Sequence, residues 1–386
     1  NIHQDKPAKA FEAIQLLEQF TLFPLEQQIP LSLALSGGMD SRVLLAFFLS
    51  TNHNHRWQTH TYESPNHPDI TIARRITTEL KVPFQLMKIE IPPPVRCLEE
   101  LKEYVALTQC ASPISTYFKM RSLPELQKSG WTMVDGGMGE LLRRQFFKRL
   151  LLLNKKILHS VNPEKLYPFL QKNKGKRLFQ EEVIHGFYQA TLSQIEKVWH
   201  DMPPVNEIGY ENWADLFILR TRFPNYAATE QSRSDLFIRS YMPYAQPEII
   251  TMGFNLPLKI RKAEHIHRKI IRTRAPELKN FPLVKDNFLI PYSYPPFLSL
   301  IHFQFAKRRQ KYQSDQLTER VLQHLKEPIH DLIASQDVHN FEWYNQRALK
   351  TVVENYYRGD DSLAAEVEWW FTFELWRQSV TSKHSM

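Results

Sequence analysis

Apolar residues at Phe11, Ile14, Leu16, Leu17 and Phe20 fall at roughly helical spacing and predict an amphipathic helix over residues 8–20. The pattern then shortens. Leu31, Leu33 and Leu35 form an apolar run of strand length, followed across a glycine pair by an apolar stretch long enough for a helix over 42–50. Trp57–Tyr62 reads as a second strand, 69–81 as a helix opened by Asp69, and 84–91 as a third strand. Alternating strands and helices predict an α/β fold with a doubly wound parallel sheet, which binds its ligands at the carboxyl ends of the strands. The turn at Ser36 and the strand end at 61–64 then share one rim.

From Glu211 onward the aromatic and aliphatic positions take up helical spacing, in Trp213, Leu216, Phe217 and Leu219 and again in Val367, Trp369, Trp370, Phe373 and Trp376. This half is expected to be largely helical and packed against the sheet, its aromatic stripe serving as core. Residues 293–296 are a proline-rich connector, so the expected division is a sheet domain over 1–290 and a helical region over 291–386. A basic stretch carrying Lys155, Lys156, Lys165, Lys172, Lys174 and Lys176 reads as an insertion near 154–180 over the rim. No internal repeat is visible.

The chain has 386 residues, of which 42% are hydrophobic, enough for a sizeable core. It starts at Asn1 with no initiator methionine and no signal-peptide pattern, so it is expected to begin inside a longer polypeptide. No apolar run of membrane-spanning length occurs without a charge or a glycine turn. The two cysteines, Cys97 and Cys110, form neither a metal motif nor a disulfide framework and read as buried fillers in a reducing, cytoplasmic compartment. His265 and His267 lack the partners and spacing of a zinc site and are taken as non-ligands. A net charge of +8 favours acidic partners such as nucleotides, anionic sugars, acidic peptides or RNA, without choosing among them.

The turn itself reads Ser36-Gly37-Gly38-Met39-Asp40-Ser41. Paired glycines let the backbone turn sharply and leave no Cβ between the amides and an anion. Ser36 and Ser41 add hydroxyls, and the amides opening the following helix add the positive end of its dipole. A carboxylate beside phosphates is repulsive unless a divalent cation lies between, so Asp40 is expected to hold Mg²⁺.

The same six residues resemble the SGGxDS signature of the PP-loop ATP pyrophosphatases, which cleave ATP between its α and β phosphates. There is no lysine and no GK[ST] ending, so this is not a Walker A loop. A narrower resemblance, to asparagine synthetase and its relatives, runs after the turn through four stretches in the family's order: THTYESPNHPDITIARRITTELKVPFQLMKIE, Met133–Leu142, Met242–Gln246 and the 281–288 stretch FPLVKDNF. The resemblance implies a PP-loop, adenine nucleotide α hydrolase-like fold, ATP and Mg²⁺ as cofactors, and a nucleotide held by Ser36, Gly37, Gly38, Met39, Asp40, Ser41, Tyr62 and Gly137. It also implies that Lys285 stabilises the charge on the departing pyrophosphate.

The departures are equally specific. Aligned on Glu140-Leu141, the family's catalytic glutamate falls at Gly136 and its second metal-binding aspartate at Gly139, while Gln246 replaces an acidic residue. Asp135 and Glu140 are the remaining candidates for the base that deprotonates an amine. Arg143, Arg144, Lys148 and Arg149 read as a solvated basic helix face. Neither cysteine is placed as in the family's glutaminase domain. Nitrogen is therefore expected from an amine substrate, from ammonia, or from a separate glutaminase domain or partner protein.

The first reading is an ATP-dependent ligase that adenylates a small-molecule or peptide carboxylate for attack by an amine or ammonia. The second is a PP-loop tRNA-modifying enzyme, which the later three resemblances disfavour. The third is a non-catalytic partner protein that keeps the fold.

Overall fold

The computed structural model describes residues 5–51, 56–64, 67–110, 112–143, 150–151, 154–159, 162–170, 176–285, 287–309 and 316–383. The chain forms two compact units that interleave in sequence: residues 1–89, 121–146 and 227–314 make the first, and 90–120, 147–226 and 315–386 the second. The single boundary near 291 expected from the proline-rich connector does not follow this grouping. Prolines there interrupt the chain locally, whereas the 291–314 stretch goes with the sheet-bearing unit.

The first unit holds a five-stranded, all-parallel sheet in the order β3-β2-β1-β4-β5, made of Leu31–Ala34 (β1), Trp57–Tyr62 (β2), Phe84–Met87 (β3), Thr132–Val134 (β4) and Ser240–Tyr241 (β5). This is an α/β fold. Central β1 places Leu31 opposite Trp57 on one side and Thr132 on the other, and Leu31 and Leu33 are wholly buried. The polar Ser32 tolerates the same burial because its hydroxyl meets His60 Nδ1 at 2.8 Å.

Helix α1, Asp5–Glu26, is longer than its apolar pattern suggested, and it packs on α2, Met39–Leu49. Phe47 and Phe48 of α2 are fully buried, so this helix lies deep in the unit. Helix α3 spans Pro68–Glu79, with His67 at its N-cap accepting from the Asp69 amide. Strands Leu283–Lys285 (β6) and Phe288–Ile290 (β7) form a separate antiparallel ribbon. The Val284 amide of β6 donates to the Gly37 carbonyl at 2.9 Å and lays that ribbon across the glycine turn.

Described residues of the second unit are helical apart from an isolated bridge between Phe179 and Tyr344. Leu158, Leu166, Trp199, Trp213 and Phe217 share one apolar cluster. The basic stretch thus contributes Leu158 and Leu166 to a core, while Lys172 and Lys174 lie outside the described residues. Helix Pro94–Thr108 packs on Ala364–Lys383, where Val367 and Trp370 are fully buried. Of the aromatic stripe, Trp213, Phe217, Val367 and Trp370 are buried core, whereas Phe373 and Trp376 are half-buried and Trp369 is exposed. Cys97 is buried, Cys110 is half-buried, and neither is in a disulfide. No helix among the described residues is long and apolar enough to cross a membrane.

Candidate active site at the carboxyl edge of the sheet

Strand order reverses between β1 and β4, because β2 and β3 lie to one side of β1 and β4 and β5 to the other. A crevice at such a reversal is where open parallel sheets bind ligands. A cavity of about 280 Å³ occupies this place, lined by Ser36, Gly38, Asp40 and Ser41 after β1, His60, Thr61 and Tyr62 at the end of β2, and Asp135 and Gly136 after β4. The turn and the β2 end therefore do share a rim.

The turn is held from several directions. Ser36 Oγ and Ser41 Oγ lie 3.0 Å apart, and Ser41 Oγ also accepts from the Ser36 amide at 3.2 Å. Arg42, fully buried in α2, donates to the carbonyls of Phe281 and Pro282 at 2.8 Å and of Gly37 at 3.2 Å. One guanidinium thus fastens the chain before β6 to the glycine turn, and burial lowers its pKa to about 10. A Cβ at Gly37 would lie 2.2 Å from Val284 Cγ2, so only glycine admits this approach.

The glycine amides are not open to an anion in the way the sequence suggested. Gly37 N donates to Asp69 Oδ1 at 2.8 Å, and Gly38 N to Ser36 Oγ at 3.1 Å. The cause is the placement of α3, whose opening carboxylate reaches the turn and stands where an anion would. No side chain caps α2, and the first amides of a helix have no acceptor within it. Those amides, beside Asp40 and Ser41 on the cavity wall, retain the anion-binding character.

Asp40 has partners that its sequence position does not announce. Arg143 donates to Oδ2, and His267 Nε2 lies 3.1 Å from Oδ1, outside hydrogen-bond alignment. Burial alone would raise the Asp40 pKa, but Arg143 and then His267 outweigh it and hold the carboxyl below its usual range. Tyr244 stacks on the His267 ring at 5.8 Å and donates to the Asp40 carbonyl at 3.3 Å. A divalent cation does not fit this arrangement. One carboxylate oxygen carries a guanidinium, and the other lies so close to Gly139 that a Cβ there would be 2.3 Å away. Among the described residues no three His, Cys, Asp or Glu side chains are grouped as metal ligands. In this structure the partner of the Asp40 carboxylate is Arg143.

The second loop is fitted to the first through its glycines. A Cβ at Gly136 would come within 2.9 Å of the Ser41 amide, and one at Gly137 within 2.3 Å of Met242 Cε. Met138 adopts φ 72°, a left-handed conformation that few side chains favour. The Gly137 amide donates to Asp135 Oδ1. Asp135 lines the cavity, and its pKa is raised first by burial and then by the charges of Asp40 and Glu140, against the lowering effect of that amide. Burial, with a smaller push from Asp135, also raises the Tyr62 phenol.

Six of the residues singled out in the sequence line the cavity: Ser36, Gly38, Asp40, Ser41, Tyr62 and Asp135. Gly37, Met39, Gly137, Glu140 and Lys285 do not. Met39 is buried, and Glu140 opens the short helix Glu140–Arg143. Lys285 is exposed, with its ammonium 5.3 Å from the Phe303 ring centre. Arg144, Lys148 and Arg149 lie outside the described residues. Arg143, read as part of a solvated face, is instead a half-buried ion-pair partner, and His267 is wholly buried against Asp40. Asp69 was visible in sequence only as a helix opener. Nothing local could have announced these contacts, since Arg143 and Asp40 are 103 positions apart.

In comparisons with known proteins, no family model and no curated sequence matches this chain.

Proposed function

We propose that this chain binds an adenine nucleotide at the carboxyl edge of its five-stranded sheet and uses it to activate a carboxylate as an adenylate, for attack by an amine or ammonia. It would then be an amide-forming ligase with a PP-loop fold, similar to asparagine synthetase. The observation that carries the reading is the cavity at the strand-order reversal, walled by the Ser36–Ser41 turn, Tyr62 and Asp135 together.

In this reading the substrate carboxylate attacks the α-phosphorus of ATP, and the bond to the β-phosphate breaks with loss of pyrophosphate. The amine nitrogen then attacks the acyl carbon, AMP leaves, and the proton of the amine goes to Asp135. A buried carboxylate with a raised pKa is a better proton acceptor than an ordinary aspartate. Asp135 is favoured over Glu140 because it faces the cavity. It takes over the function of the carboxylate missing at Gly136, where no side chain fits beside the Ser41 amide.

ATP–pyrophosphate exchange over a panel of carboxylates tests this, with Asp135→Asn beside the parent. Carboxylate-dependent exchange that survives the substitution is expected, with amide formation reduced by about 10²–10⁴-fold. Absence of exchange with every carboxylate contradicts the ligase reading. It would favour a non-catalytic partner protein, a second reading supported by the Gly37 amide being held by Asp69.

A further inference from the structure

Several buried polar atoms beside the cavity have no hydrogen-bond partner among the described residues. They are Asp40 Oδ1, Arg143 Nε and both ring nitrogens of His267. Arg143 also faces Glu264, Nη1 to Oε1 at 3.7 Å, so it is fixed between two carboxylates. Its side chain is 15% exposed and that of Asp40 is 17% exposed. A guanidinium keeps its charge under all ordinary conditions and matches phosphate oxygens with a planar fork of donors. Held on the Asp40 carboxylate, it supplies a fixed positive charge next to the wall of the cavity.

We infer that Arg143 replaces a divalent cation at this site, so that the phosphates of the nucleotide are bound without metal. The inference rests on the nucleotide-binding reading and specifies its counter-charge. Three features meet at one carboxylate. Arg143 neutralises Asp40, which removes the repulsion that would otherwise require an ion between Asp40 and phosphate. Gly139 on one side and His267 Nε2, 3.1 Å away, crowd Oδ1, the oxygen that Arg143 leaves open. The uncapped opening of α2 provides donors on the wall of the cavity that Asp40 lines, and Arg143 puts a fixed positive charge directly behind that carboxylate.

The test is calorimetric titration of the full chain with ATP, once in EDTA and once in excess Mg²⁺. The expected dissociation constants agree within about threefold. Arg143→Ala should bind ATP at least about tenfold more weakly in EDTA, through loss of the charge that neutralises Asp40 beside the phosphates. Arg143→Lys keeps the charge and should retain most of the affinity. Binding by the parent that is about tenfold or more tighter with Mg²⁺ overturns the metal-free site while leaving nucleotide binding intact. Unchanged affinity in a folded Arg143→Ala, checked by circular dichroism, also overturns it. No heat in either buffer overturns nucleotide binding itself, and this inference with it.

Discussion

Burial keeps the His60 imidazole neutral at the floor of the cavity, with its pKa pushed down to about 4. In the unfolded chain the same group titrates near 6.5. As the pH falls below about 6.5, the unfolded chain therefore takes up a proton that the folded chain refuses. This contribution is constant above that point and is lost progressively down to about pH 4, a loss on the order of 3 kcal/mol. Urea unfolding across that range should show the loss, and His60→Gln should flatten it. Asp40 works in the same direction at lower pH. Its depressed pKa adds stability that is fully present above about pH 4 and disappears as the pH falls through the folded value. Removing Arg143 strands that carboxylate, so Arg143→Ala should cost about 3 kcal/mol in denaturant unfolding, and adding Asp40→Asn should recover part of it. At this scale the sequence displayed the glycines at 136 and 139. It did not display what fills the space. Position 139 is glycine because Asp40 lies against it, a contact between two loops that neither loop encodes alone.

Short elements decide how the turn is held. The strand Leu31–Ala34 was legible from its apolar alternation, and Trp57–Tyr62 from aromatic and β-branched residues over a strand-length run. The ribbon of β6 and β7 was not, since runs of three residues carry too little periodicity. Yet this ribbon covers Gly37, and a methyl added there has to displace Val284. Gly37→Ala should therefore destabilise the protein by about 1–3 kcal/mol, and Gly37→Ala with Val284→Ala should be less destabilised than the sum of the two single changes. A double-mutant cycle by urea unfolding measures the coupling. Additivity would mean that the ribbon does not rest on the turn. Arg42 was hidden for a different reason. It sits inside the most apolar helix pattern of the chain and is buried there because four carbonyls receive its guanidinium.

For the molecule as a whole, alternation of strands and helices was enough to foresee an α/β fold with a parallel sheet. Division into units was not foreseen, because composition along the chain records local punctuation, while the units are assembled from three separated stretches each. The site draws on three strand ends in one unit, and this convergence follows from strand order rather than from any single motif. The central claim is that a nucleotide occupies that edge. The most direct measurement is photolabelling of the intact chain with an azido-adenine analogue of ATP, with the labelled peptides located by mass spectrometry. The account predicts label on the peptides carrying Ser36–Ser41, Thr61 and Tyr62, or Asp135–Gly137, and suppression of that label by unlabelled ATP. Label confined to other peptides, or label that excess ATP does not suppress, would contradict it.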